Sequence, residues 1–217
     1  MSLSRKYDSL FAKYGDMVPV PYLRALAKGE SNFNPKSDVN STKPDSAKGL
    51  LQVIGVVRRD YNERHQTGYS ANDLFDPEIN VKVACDLLNR IAVGYQRNHP
   101  KTLEMDWTSK RYVQLFTFGW NAGYSEKAGV GFVVGKLEKA GFSVGDIDID
   151  TVSGNAASFG ASQYLSSKAK VRYCKQVTAW YFDEWQENIK KEHPSGIVVA
   201  GVVIGLGLLL NRLFKRQ

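Results

Sequence analysis

The sequence predicts an all-α fold, and three observations carry that prediction. Apolar residues recur at intervals of three and four along most of the chain. Helix punctuation is dense, with Pro19, Pro21 and Asp76-Pro77-Glu78 at starts and Gly15 at a stop. Little of the chain shows the strict alternation of a half-buried strand, so there is little room for a sheet.

The elements follow in order. Residues 3–14 carry Leu3, Tyr7, Leu10, Phe11 and Tyr14 at helical spacing and stop at Gly15. Pro19 and Pro21 open a second helix with Leu23, Leu26 and Ala27, which ends near Glu30. Residues 32–48, rich in Asn, Ser, Pro, Lys and Asp, predict a loop that leaves room for a small hairpin. The run from Gly49 to Tyr61 turns from apolar into a basic helix. Asp76, Pro77 and Glu78 supply an N-cap, a first-turn proline and a first-turn acid. The helix they start places Ile79, Val83, Leu87 and Ile91 on one face. Another helix runs from about Ser109 to Phe118 and meets an Asn-Ala-Gly corner. A further one is expected from about Glu126 to Ala140. Residues 141–162, rich in Gly, Ser, Asp and Ala, predict a loop with one helical turn. A long amphipathic helix spans 168–191, with Val171, Cys174, Val177, Tyr181 and Trp185 near helical spacing.

The composition changes after His193-Pro194-Ser195. Gly196 to Leu210 holds no charge, and the basic residues Arg212, Lys215 and Arg216 follow. A spanning helix wants roughly 20 apolar residues, so this run spans only if Leu213 and Phe214 join it and the basic side chains snorkel. A buried core helix is the other reading. The expectation is a C-terminal membrane anchor over 194–217 behind a single domain over 1–193.

The 217 residues suffice for one domain plus an appendage. Four Trp, eleven Tyr and ten Phe argue against disorder. The formal charge is +7, of which three positives lie in the last six residues. Mild basicity suits an anionic polymer or a membrane surface. No Lys/Arg stripe with interleaved aromatics favours nucleic acid. Cys85 and Cys174 show no metal spacing, and they are expected as buried thiols that pair only if their helices touch. No metal or cofactor is expected. The N-terminal residues lack the apolar core of a secretory signal.

Glu30 is the residue with the most chemical promise. Leu23, Leu26 and Ala27 precede it by seven, four and three positions, which puts its side chain on their apolar face. A carboxyl there loses hydration, its pKa rises, and it becomes a proton donor near neutral pH. Taken alone, the helix leaves a second reading open, an acid paired with Lys28 or another cation.

Four motifs widen the constellation: Glu30-Ser31-x-Phe33-Asn34-Pro35, Ala47-x-Gly49-Leu50-Leu51-Gln52, Leu74-x-Asp76-Pro77-x-x-Asn80 and Trp120-Asn121-Ala122-Gly123. In order and spacing they resemble the soluble lytic transglycosylases, enzymes with a lysozyme-like helical fold. Tyr173, in Val171-Arg172-Tyr173-Cys174, resembles the start of that family's last helix. The resemblance implies cleavage of the bond between N-acetylmuramic acid and N-acetylglucosamine in peptidoglycan glycan strands. One Glu would serve as acid and then as base, and a 1,6-anhydro sugar would form. Glu30 matches that acid. Ser31, Gln52, Trp120, Asn121 and Tyr173 match substrate-binding positions. Ser31 would bond the N-acetyl group or orient Glu30, with backbone capping as its alternative. Trp120 stands where the family offers a Tyr whose hydroxyl contacts the acid, so Tyr124 or Tyr173 is left to supply one. Leu51 stands where Met is usual. Asp76, Pro77 and Asn80 are expected to be structural, through capping. The connection from Gly123 to Tyr173 is longer than the family's, and about 126–165 reads as an insertion.

Two rivals remain. A hydrolytic muramidase of the goose-lysozyme type needs a second carboxylate, for which Asp38, Asp45 and Asp60 are candidates. A membrane-anchored peptidoglycan-binding protein with a lapsed site is the other. The missing signal and the apolar tail together suggest carriage by a phage particle, with other virion proteins as partners, and a local cut in the wall during genome entry.

Overall fold

A computed structural model describes residues 3–43 and 45–192. Eight α-helices make up the described chain: α1 (Asp8–Tyr14), α2 (Val20–Ser31), α3 (Gly55–His65), α4 (Pro77–Asn98), α5 (Lys110–Ala122), α6 (Val130–Lys139), α7 (Ile149–Asn155) and α8 (Lys168–Glu192). Short 3₁₀ turns cover Asn72–Phe75, Val144–Asp146 and Gln163–Ser166. The described residues contain no β-strand. The hairpin allowed for in 32–48 reduces to one antiparallel bridge between Lys48 and Val53. The expected membrane anchor over 194–217 lies outside the described residues. Among the described helices none is long and apolar enough to cross a membrane.

The core is built where α2, α5 and α8 meet. Tyr22, Leu23 and Leu26 of α2, Phe116 and Phe118 of α5, and Cys174 and Val177 of α8 are fully enclosed. Tyr22 packs against Trp107, Phe116 and Tyr181 at ring separations of 5.0, 5.5 and 6.1 Å. Its hydroxyl meets Thr117 Oγ1 at 3.0 Å, so this large side chain is buried without a lost polar group. Cys85 and Cys174 are both buried and free, and burial pushes the Cys85 thiol up to about 12.

A buried ionic knot ties the first residues to the last helix. Arg24 donates through Nη1 to Glu184 Oε1 at 2.7 Å. It also donates through Nε and Nη2 to both oxygens of Asp8, at 2.7 and 2.6 Å. The backbone N–H of Leu3 donates to Glu184 Oε2. This explains why α1 begins only at Asp8, later than its apolar spacing suggests: residues before it run to α8 rather than continuing the helix.

Three other boundaries shift for local reasons. The helix expected from 126 begins at Val130, after Gly129, because Glu126 is turned toward His99 (Oε2 to Nε2, 3.0 Å). The helix expected to end at Phe118 runs on through Ala122 and stops at Gly123, whose φ of 108° suits glycine. Within 141–162, α7 replaces the single expected turn, capped by Asp148 accepting from Thr151 N–H and anchored by buried Ile149 and Val152. Helices α6 and α7 pack against α5.

Candidate active site

Helix α2 carries Glu30 in its last turn and ends at Ser31. Asn32, in the left-handed conformation, closes it by donating its N–H to Ala27 and Lys28 carbonyls. Lys28 donates to Asn32 Oδ1, so it does not neutralise Glu30 as one sequence reading allowed. Gly29 faces α8. A Cβ there would come within 2.9–3.0 Å of Val177 and of the Tyr173 ring and hydroxyl. The glycine lets the two helices approach closely enough for Tyr173 to reach the acid.

Two donors converge on one oxygen of Glu30. Tyr173 OH donates to Oε1 at 2.6 Å and Trp120 Nε1 donates to the same atom at 2.8 Å. Oε2 has no hydrogen-bond partner among the described residues. The carboxyl is largely enclosed by protein, and this loss of hydration raises its pKa above the ordinary glutamate value. The bonds from Tyr173 and Trp120 and the charge of Lys170 pull the other way without reversing the shift. Tyr173 is itself held neutral by burial and by the facing carboxyl.

The wall opposite is the turn from Lys48 to Ile54. Asn80 of α4 pins it with three side-chain hydrogen bonds. Its Nδ2 donates to the carbonyls of Lys48 and Leu74, and its Oδ1 accepts from Leu51 N–H at 2.7 Å. Gly49 (φ 77°) passes so close that a Cβ would overlap Leu74 O and Asn80 Nδ2. Asn80 is thus structural as expected, but by pinning this turn rather than by capping. Asp76 is the cap, accepting from Glu78 and Ile79 N–H. The pinned turn presents Gln52 to the cleft, its Nε2 bonded to Gly49 O at 2.9 Å. Ser31 Oγ donates to Leu50 O at 2.7 Å, joining α2 to the same turn.

Together these elements enclose a cleft of about 270 Å³. Glu30, Gln52, Trp120, Asn121 and Lys170 supply its polar wall; Ala47, Ile54, Val57 and Leu87 supply its apolar one. Of the six residues picked from the sequence, Glu30, Gln52, Trp120 and Asn121 line the cleft. Tyr173 stands behind Glu30, and Ser31 is turned to the backbone. Lys170 was missed. It lies on the first turn of α8 and donates to Asn121 O at 2.6 Å and Oδ1 at 3.0 Å. Its only sequence signal is its place three residues before Tyr173, which puts it one turn along the same helix face.

Glu30 is the only carboxylate among the residues lining the cleft. Asp45 is paired with Arg59, and Asp60 with Arg64 and Arg90. Asp38 sits in a turn at φ 64° and does not line the cleft either.

A family model described as the transglycosylase SLT domain matches residues 9–127, more than half of the chain. The soluble lytic murein transglycosylases of Escherichia coli K12 and O157:H7 are each 33% identical over 96 residues. That alignment takes in 42% of this chain and 14% of either relative. The crystal structure of the 70-kDa soluble lytic transglycosylase of Escherichia coli superposes with a TM-score of 0.53 at 24% identity. It covers 82% of this chain and 24% of that one. The complex of the 70-kDa soluble lytic transglycosylase with bulgecin A superposes with a TM-score of 0.52 over 84% of this chain and 25% of that one. These likenesses support the helical fold, and the family match takes in the helix that carries Glu30, the pinned turn that carries Gln52 and the helix end that carries Trp120 and Asn121. The chain belongs to the transglycosylase SLT domain family.

Proposed function

We propose that the protein is a peptidoglycan lytic transglycosylase acting at the bond between N-acetylmuramic acid and N-acetylglucosamine. One observation carries this reading: a single enclosed carboxyl, Glu30, is the only acid lining the cleft, and its Oε1 is already saturated by two donors. In the acid form of Glu30 the free oxygen, Oε2, is therefore the one that carries the proton. Glu30 delivers it to the glycosidic oxygen as the C1–O bond breaks. The muramoyl C6 hydroxyl oxygen then bonds C1, and its proton returns to Oε2. Atoms balance with no water consumed, and the acid ends as it began. As Glu30 becomes a carboxylate between these steps, the bonds from Tyr173 and Trp120 stabilise its charge.

Trp120 thus takes part of the place of the family's tyrosine, because a carboxylate needs only a donor and the indole N–H is one. The hydrolytic alternative needs a second carboxylate in reach of a water molecule, and the placement of Asp38, Asp45 and Asp60 does not favour it. Mass spectrometry of digested peptidoglycan decides between them. Anhydromuramoyl ends are expected; reducing ends would replace this reading with hydrolysis.

The Tyr173 hydroxyl favours the charged form of Glu30. Tyr173→Phe is expected to raise the Glu30 pKa further, so the alkaline limb of the pH–rate profile moves to higher pH. The maximal rate should fall about tenfold or more, the scale of one hydrogen bond to a charged group. A profile that keeps its position would mean that the hydroxyl does not act on the acid.

The apolar run 196–210 with its basic end supports attachment to a membrane. Carriage by a phage particle to the host wall is the delivery route this reading favours. Purified particles that lack the protein would remove that part of the proposal and leave the chemistry intact.

A further inference from the structure

Lys170 has a charge that the fold does not use up. Its ammonium lines the cleft and spends two of three donors on neutral oxygens, those of Asn121. No carboxylate lies within ion-pair distance among the described residues, and the first turn of α8 carries no acid. The ring of Tyr164 lies 5.6 Å from the ammonium. Tyr164 is itself 57% exposed, so the cation is held between the end of α5 and an aromatic ring open to solvent. Tyr164 belongs to the insertion-like segment, which in this way reaches the cleft.

A cation in a cleft with one remaining donor is suited to an anion in the substrate. The same placement also has a purely structural use, since Asn121 is the penultimate residue of α5 and a lysine is a good partner for a terminal helix carbonyl. That use satisfies the carbonyl but gives the charge no ion-pair partner among the described residues; Glu30, which lines the same cleft, feels it only through space.

We propose that Lys170 is a specificity residue that binds a carboxylate carried by the glycan strand, beside Tyr164 at the α8 end of the cleft. The proposal rests on the peptidoglycan reading and sharpens it: the enzyme prefers strands bearing carboxylates to neutral ones of the same length. Two sources present that chemistry, the carboxylates of the peptide stem and the lactyl carboxylate left when the stem is removed.

The test uses the full-length protein and three substrates: intact strands, strands trimmed by an amidase to the lactyl carboxylate, and strands whose carboxyls have been converted to amides. For Lys170→Met, kcat/KM on carboxylate-bearing strands relative to amidated ones should fall about tenfold, the scale of one charge-assisted hydrogen bond. Lys170→Arg should restore most of the ratio. A fall confined to intact strands assigns the stem carboxylate, a fall confined to trimmed strands assigns the lactyl group, and a fall on both shows that Lys170 accepts either carboxylate. An equal fall on all three substrates, or none, overturns the proposal and leaves Lys170 as a cap for α5. Binding of the same three strands to Glu30→Gln and to Glu30→Gln/Lys170→Met gives the ratio without turnover. The carboxylate preference is therefore measured even if the protein does not cut.

Discussion

Glu30→Gln is expected to abolish wall cleavage while making the folded protein more stable at neutral pH. The activity loss should be roughly 10²–10⁴-fold, the contribution of a positioned general acid–base, and anhydromuramoyl ends should disappear with it. Structure should survive, because a glutamine Oε1 accepts from Tyr173 OH and Trp120 Nε1 as the carboxylate oxygen does. The stability gain follows from the direction of the Glu30 shift. Its folded pKa is raised above the unfolded value, so between the two pH values the folded state holds a proton that the unfolded state has lost. Folding stability therefore falls as pH rises through that window, and stays lower above it. Glutamine carries no such charge. The melting temperature of the variant should exceed that of the native protein at pH 7–8, with the gap closing toward pH 4. A variant that loses activity and also melts lower at neutral pH would show that Glu30 is held by attractions stronger than its desolvation.

The second large effect lies away from the cleft. Arg24→Met should destabilise the fold by about 3 kcal/mol, the scale for removing one partner of a buried ion pair. Glu184, only 2% exposed, loses its close partner and keeps Leu3 N–H and a more distant Arg5 at 3.9 Å. Asp8 is nearer the surface and finds water. For a domain of this size the loss corresponds to a drop of roughly 6–12 °C in melting temperature. The double variant Arg24→Met/Glu184→Leu should regain much of it, since apolar side chains of similar volume often match a buried pair. Circular dichroism melts of the two variants separate the cases: equal melting temperatures would show that the stranded carboxylate costs nothing.

The helices were legible where apolar spacing and caps agree. Asp76-Pro77-Glu78 located α4 because the cap, the proline and the acid each act within one turn. The failures came where distant contacts overrule a local pattern. Residues 3–7 look helical but run toward Glu184, and Glu126 looks helical but serves His99. Among the residues lining the candidate cleft, the apolar face of Glu30 left an ion-paired acid as a second reading, and the order of the four motifs singled out Glu30, Gln52, Trp120 and Asn121. Their mutual geometry was not readable. Nothing local says that Tyr173 and Trp120 meet on the same oxygen of Glu30, since one lies 143 and the other 90 residues along the chain. Lys170 escaped because a lysine near a helix start is ordinary, and its partner lies 49 residues away.

That separation of 143 residues between Glu30 and Tyr173 is also a delay. At about 5–20 residues per second, roughly 7–30 s pass between synthesis of the two. During that interval α2 has been made, with α1 and α5 to pack against, but α8, the helix it packs against most, has not. The acid gains its phenolic neighbour only when the last helix of the described fold arrives, so a ribosome that stalls before α8 releases a chain whose site is incomplete.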